Sequence, residues 1–471
     1  MCALIAFLNA SAWSLIVPPF QGRDEVDHFA YVAQIAETGT LPANGQAEGV
    51  YSPEQKLVLE GLHYYQVRFS PAEPTISTQA EQQVLSKDVH ANASPIGSGE
   101  AGVATPEPPL YYALQTIPYF LGRGNILTQL QLMRLLDALL GAVTALLCFL
   151  FVRETLPGVR WAATVGGLCV ALQPLFAFMA GSVNPDVLLF TLSAAVFLCL
   201  ARAFRGGLTW RPAIVLGLLV AAGFLTKLNF IGFGIGVLFG LGALAVRGVR
   251  SRGRGALPAI GLATGIGFAP PLVYVLANKL SGRATFGPTS ENVEGITAES
   301  LFHELSYVWE LYLPRLPGMP HYFKGLSTFK DVWFDRSVGF YGWMDVLFPN
   351  WVDTIALFLA GAVALLIGRE LIARRGAVGA RLLELATYAA ITVGVLLVVG
   401  VPSYHTDIIG HIYAFGEPRY LLPMLPLLGA AIALAIRGAR RWAPTVGAAM
   451  VVLFLAHDIF SQLQTIARYY G

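Results

Sequence analysis

Between Arg211 and Arg247 the chain reads RPAIVLGLLVAAGFLTKLNFIGFGIGVLFGLGALAVR, with Lys227 the one charged residue inside it. As a single α-helix this run would be about 54 Å long at 1.5 Å per residue. A bilayer core is about 30 Å thick and takes about 20 apolar residues. The run is too long for one crossing, and the polar step Thr226-Lys227-Leu228-Asn229 divides it into two. The fold is therefore expected to consist of apolar helices joined by tight polar turns.

The rest of the 471 residues read the same way: 55% are hydrophobic and 13% charged, about half the charge of an ordinary globular chain. Apolar runs of spanning length fall near 2–20, 127–152, 161–181, 186–204, 212–226, 230–247, 256–278, 353–372, 382–402, 419–436 and 443–460. This predicts an all-α polytopic membrane protein with eleven spans. It forms one transmembrane domain over 1–471 with two large loops, 21–126 and 279–352. Cys2, Cys148, Cys169 and Cys199 all sit in apolar runs without a CxxC pair, which argues against a disulfide framework or a zinc site.

Charge sets the expected orientation. The loops at 153–160, 201–211, 247–255, 369–381 and 437–442 are rich in arginine, and their acids are Glu154 and Glu370. The positive-inside rule makes them cytoplasmic and both large loops external. The first run lacks the basic start of a signal peptide and reads as the first span. The 21–126 loop is acidic, which excludes a nucleic-acid surface and leaves the lipid bilayer as the evident partner. Within it, 91–106 is rich in Ala, Ser, Gly and Pro and predicts a loop.

The densest polar cluster follows the first span: Gln21-Gly-Arg-Asp-Glu-Val-Asp-His28. A helix is predicted from Glu25 to about Gly39, with Asp24 at its N-cap and His28 one turn on. The structural reading is that Asp24 caps the helix and Glu25 complements its dipole. The functional reading is that crowded carboxylates raise one another's pKa, which suits a general base.

Pro18-Pro-Phe-Gln-Gly-Arg-Asp24-Glu25-Val-Asp-His28-Phe after an apolar span resembles the opening of the GT-C superfamily of membrane glycosyltransferases. The nearest resemblance is to a branch of predicted bacterial membrane proteins with an Asp-Glu…His-Phe start. Glu107-Pro-Pro-Leu-Tyr-Tyr112, Asn184-Pro-Asp186, Thr226-Lys227, Gly342-Trp343-Met-Asp345 and Glu417-Pro-Arg419-Tyr420-Leu-Leu-Pro423 extend it along the chain. Glu107 stands where the superfamily often has histidine. The resemblance implies a GT-C-like bundle in a bacterial plasma membrane. Its external face would transfer a sugar from a polyprenyl-phosphate donor to a glycan, lipid or protein acceptor. It further implies Asp24 as the base that deprotonates the acceptor hydroxyl, with Glu25 as an acceptor or metal contact.

An anionic lipid donor needs cations at headgroup depth. Arg419, Lys227 and Arg134 are the candidates. Against these roles stand an Arg134–Asp137 pair at i,i+3, a plain turn residue at Lys227 and a Glu417 partner for Arg419. Asp186 reads as part of a helix cap or as a sugar contact. Tyr341, Trp343 and Asp345 read as interface residues or as a roof over the sugar, with His28 nearby. A divalent cation is a secondary expectation, with Asp24, His28, His405 and Asp407 as ligands and His411 beside them. The rival classes are a lipid-linked-sugar flippase, a surface-polysaccharide polymerase and a scaffold. Flippases favour repeats and midplane sites, whereas these polar residues gather at one rim.

Overall fold

The computed structural model describes the chain except for residues 43–50, 69, 71–79, 81, 84, 86–92, 98, 159, 253–256, 282–297, 326, 344 and 406–415. Asp407 and His411 of the expected cation site, and Arg254 of the basic set, lie outside the described residues. Among the described residues the architecture is helical apart from one two-stranded hairpin, Phe340–Tyr341 against Val346–Leu347, turned through Gly342 at positive φ.

Among the described residues, eight helices are long and apolar enough to span a bilayer: Ile126–Thr155, Pro185–Gly206, Phe230–Val249, Leu257–Leu280, Asn350–Ala373, Leu382–Tyr404, Pro418–Gly438 and Arg440–Tyr470. The expected 161–181 span is a pair, Trp161–Ala171 and Pro174–Ala180, bent by 60°. Pro174 starts its second arm and the Gln173 side chain caps it at the Phe176 N–H. Two expected spans are shorter than a bilayer requires: Cys2–Ile16 and Trp210–Thr226. The first stops because Pro18 and Pro19 cannot continue a helix. The long 211–247 run breaks as its polar step requires, with Lys227 extended between one helix ending at Thr226 and another starting at Phe230.

Phe230–Arg252 packs closely on Leu382–Tyr404. Gly232, Gly236 and Gly240 recur every four residues along one face, and a Cβ there would strike Gly394, Ile391 and Thr387 respectively. Small residues at this spacing let two backbones approach and gain dispersion energy that lipid cannot match. The closing helix, Ala443–Tyr470, returns to the first: Trp13 Nε1 donates to Asp458 at 3.1 Å and Gln462 donates to Asn9.

The two ends of the bundle differ in chemistry. Arg202 and Arg205 pair with Glu154, Arg381 donates to the Thr155 carbonyl, and Arg374 and Arg437 share Glu370. The basic loops thus meet at one end. At the other end the Glu25–Thr38, Pro53–Gly61 and Leu110–Leu121 helices form a lobe around Phe20, Phe29, Tyr31, Tyr112 and Tyr119. The Ala298–Tyr312 helix lies against Leu382–Tyr404, where Tyr312 donates to the Leu396 carbonyl.

Candidate functional site

The turn after the first helix is set by Arg134. This side chain, 2% exposed, donates from Nε and Nη2 to Glu25 at 2.8 and 2.6 Å, and from Nη1 and Nη2 to the carbonyls of Ser14, Val17 and Pro18. Glu25 also accepts the Val183 N–H at 2.9 Å. Every donor of Arg134 is committed, so the expected phosphate role does not hold for it. Nor does its i,i+3 pairing: Asp137 instead takes Tyr111, Gln115 and the Asn184 N–H. Glu25, fully buried in this clamp, is corrected from catalytic carboxylate to structural anchor.

The anchored turn delivers Asp24 in a left-handed conformation, φ 56°, with no capping bond to the helix it precedes. Asp and Asn tolerate this region better than bulky residues. The carboxylate turns instead to Arg419, whose Nη2 donates to Oδ2 at 2.8 Å, while Arg23 Nε stands 3.6 Å from Oδ1. Arg419 Nε lies 2.7 Å from Glu417, and Arg23 Nη2 donates to the same Glu417 carboxylate. Arg23, Glu417, Arg419 and Asp24 therefore form a closed ring of alternating charge.

A second pair adjoins the ring. Asn184 caps Pro185–Gly206 by accepting the Asp186 N–H at 3.0 Å, and this leaves the Asp186 carboxylate for Lys227 Nζ at 2.7 Å. Asp186 Oδ2 is 4.0 Å from Arg419 Nε. Glu107 accepts the Leu228 N–H beside Lys227. The sequence-level expectation thus brings Asp24, Asp186, Lys227 and Arg419 together, and His28 joins them electrostatically while its Nδ1 bonds the Tyr112 hydroxyl at 3.0 Å.

Environment sorts their protonation. Burial alone would raise the Asp24 carboxyl, but Arg419 and then Arg23 outweigh it and hold it well below the usual carboxylate range. This corrects the expected raised value: in the free protein Asp24 is a paired anion. Burial lowers His28 to about 3, so its imidazole is neutral. Burial raises Glu107 despite Lys227. Burial would discharge Lys227, but Asp186 and Glu107 keep its ammonium above the usual lysine value.

Arg419 separates two cavities. One runs from Arg419, Asp186 and Tyr420 along apolar side chains of the bundle, including Phe233, Val395 and Val398. The other lies between Arg23, Arg419, Glu417, Phe178 and Phe340. Nη1 of Arg23 and Nη1 of Arg419 are buried and have no hydrogen-bond partner among the described residues.

The expected aromatic roof is packed rather than open. Tyr341, fully buried, bonds Ser461 and the Val338 carbonyl and lies on Trp13 and Phe178. Trp343, 3% exposed, is stacked by Arg68 at 3.9 Å and faces Arg23 at 5.4 Å. Asp345 holds Arg468 at 2.8 Å and the Trp343 N–H. These three join the two large loops to the last helix and are not placed to stack on a sugar. His405 is 3.6 Å from Glu304 on the second loop and does not join Asp24 and His28. Among the described residues no three His, Cys, Asp or Glu side chains are grouped to hold a metal. Arg23 stands out in the sequence only as a charge; the signal for its role is its position between Gly22 and Asp24.

Asp27 gives the site lobe a pH signature. Burial, helped by the Asp24 charge and opposed by the Tyr51 hydroxyl bond at 2.8 Å, pushes it up to about 6. A raised carboxyl stabilises the fold fully below its unfolded value of about 4, and that contribution is lost as pH rises through about 6. Asp27→Asn is expected to remove a loss of about 2–3 kcal/mol between pH 4 and 7, at 1.36 kcal/mol per unit. Thermal melts of both proteins across that range check this, and parallel curves would refute it.

The comparisons with known proteins come from sequence and from shape. Residues 7–428 match the family model described as predicted membrane protein (DUF2142). No curated protein matches the sequence. In shape the chain is similar to the oligosaccharyltransferase of Archaeoglobus fulgidus. In complex with Zn and sulfate, that protein matches at 14% identity and TM-score 0.49, over 100% of this chain and 53% of the other. As AglB in complex with an inhibitory peptide and a dolichol-phosphate, it matches at 12% identity and TM-score 0.46, over 100% and 56%. This chain spans about half the length of the oligosaccharyltransferase. The family match covers nearly all the helices that build the site, and the chain belongs to the DUF2142 family of predicted membrane proteins.

Proposed function

We propose that this protein is a GT-C-like membrane glycosyltransferase that moves a sugar from a polyprenyl-phosphate donor to a hydroxyl acceptor. The observation that carries this reading is Arg419, a buried guanidinium with an unpartnered nitrogen at the head of an apolar groove. A prenyl phosphate has that form: an anion on a long hydrocarbon chain. Arg419 takes the phosphate, the groove takes the first prenyl units, and Asp24 faces the sugar.

In the reaction the acceptor oxygen attacks the anomeric carbon on the face opposite the phosphate. The bond from that carbon to the phosphate oxygen breaks, and its electron pair leaves on the prenyl phosphate. The hydroxyl proton passes to Asp24. A single displacement inverts the anomeric centre. Arg419 stabilises the charge growing on the leaving oxygen, where a charge-assisted hydrogen bond is strongest. Lys227 and Asp186, locked to each other, form the wall beside it.

Asp24 is a weak base while Arg419 neutralises it. A donor phosphate that draws Arg419 away removes its main counter-ion, and the carboxyl pKa rises toward a useful value. The acid limb of kcat, which reports the donor complex, is therefore expected at higher pH than that of kcat/KM. Asp24→Asn is expected to retain donor binding and lose about 10²–10⁴-fold in transfer. Wild-type turnover in that variant would remove Asp24 from the chemistry.

Arg419→Ala is expected to weaken binding of a polyprenyl phosphate by one to two orders of magnitude, from about 1.5–3 kcal/mol for a charge-assisted contact. Arg419→Lys recovers part of it, because an ammonium cannot hold two oxygens in a plane. Unchanged affinity with lowered melting temperature would make Arg419 structural only.

We place the site on the external face of a bacterial plasma membrane, since the basic loops gather at the opposite end. Ser94 and Arg375 are both exposed and lie at opposite ends of this arrangement. Ser94→Cys is expected to react with an impermeant maleimide on intact cells, and Arg375→Cys only after permeabilisation. The reverse pattern would invert the protein.

A further inference from the structure

The helix of the second large loop, Ala298–Tyr312, runs antiparallel to Leu382–Tyr404 in a steady register. Glu304 stands 3.6 Å from His405, a Cβ on Gly400 would strike Val308, and Tyr312 donates to the Leu396 carbonyl at 2.9 Å. On its inner face Tyr307, Val308 and Leu311 are buried in one cluster with Val399 and Tyr420. On its outer face Leu305, Trp309 and Leu313 are exposed, and the turn that follows adds an exposed Leu316.

The register gives the depth of this face. The rise from Lys227 to Arg247 is about 30 Å, the thickness of a hydrocarbon core. Gly232, Gly236 and Gly240 meet Gly394, Ile391 and Thr387, and continuing that pairing sets Lys227 level with Val399. Trp309 then lies at the edge of the core, and Tyr312 and Leu313 lie about 5 Å inside it. Val393 and Leu397 of the adjoining span are exposed near the same depth, so the outer face of the loop helix continues the lipid-facing surface of the bundle. The polar groups at this end are closed within the chain. Thr328 donates to the Glu310 carbonyl, Trp333 Nε1 to that of Leu311 and Trp309 Nε1 to that of Pro314. A helix end in water can leave its last carbonyls to the solvent, whereas one in hydrocarbon needs partners from the protein.

We infer that the segment 298–323 dips into the leaflet at the Arg419 end, with Trp309, Leu313 and Leu316 seated among lipid acyl chains. Trp309 takes the interfacial position that indole rings favour. Arg315 is exposed between the two leucines, and its long stem carries the charge back toward the headgroup phosphates. Val399 and Tyr420 also line the groove at Arg419, so the inserted segment backs that groove from the lipid side. The inference needs only the membrane-spanning bundle and holds whatever the site transfers.

The test is nitroxide accessibility in the whole chain reconstituted into phosphatidylcholine vesicles, with the unsubstituted protein labelled in parallel as the blank. A nitroxide on Leu316→Cys is expected to collide more with oxygen, which concentrates among acyl chains, than with a water-soluble nickel chelate. It should match Leu397→Cys on the adjoining span and reverse the order shown by Ser94→Cys. Leu305→Cys, about 6 Å nearer to water than Trp309, is expected to fall between them. Leu313→Cys serves as the probe if the Leu316 variant does not reconstitute. Nickel-dominated collisions at the probe would return the segment to water and overturn the inference. Exclusion of both reagents would overturn it as well, because that is the mark of a covering protein or a second copy of this chain.

Discussion

The Arg134–Glu25 clamp is the constraint from which the site follows. A guanidinium almost wholly withdrawn from water binds one carboxylate twice and three backbone carbonyls besides. It ties the end of the first helix, the turn at Pro18 and the start of the Glu25–Thr38 helix to the long Ile126–Thr155 helix. Through Glu25 it also ties in the loop before Pro185–Gly206. Removing one partner of a buried pair costs about 3–5 kcal/mol, because the other charge is left stranded. Here the loss would fall on the turn that presents Arg23 and Asp24.

That turn gives the outer ring its character. Asp24, Glu107, Asp186 and Glu417 meet Arg23, Lys227 and Arg419 at one end of the bundle. The Lys227–Asp186 pair is buried and closed, whereas each arginine of the ring keeps an unpartnered Nη1 among the described residues. On the proposed reading an incoming anion would take the place of these internal carboxylates, and the same exchange would make Asp24 a better base.

Much of the fold was legible because apolar length and arginine placement act locally. The break at Thr226-Lys227, the pairing of short loops at one end and the helix after Asp24 all follow from such patterns. The Gly232, Gly236 and Gly240 spacing was also there to be read as a helix-packing face. What could not be read was which polar side chains spend their bonds on the fold. Arg134 and Arg419 look alike in sequence, each an arginine beside an apolar run. They differ only in partners 109 and 395 residues away. Tyr341 and Trp343 carry the composition of a sugar platform, but the return of the last helix buries them. Asp24 sits where a helix cap belongs, and only its left-handed backbone and the distant Arg419 turn it elsewhere.

The most direct measurement is a cryo-electron-microscopy structure of the protein with farnesyl phosphate bound, read at the contact between Arg419 Nη2 and Asp24 Oδ2, 2.8 Å in the free protein. The account predicts that phosphoryl oxygens take Arg419 Nη1 and that this contact opens beyond about 4 Å, the limit of an ion pair. A bound ligand elsewhere, with the Asp24–Arg419 pair intact, would contradict it.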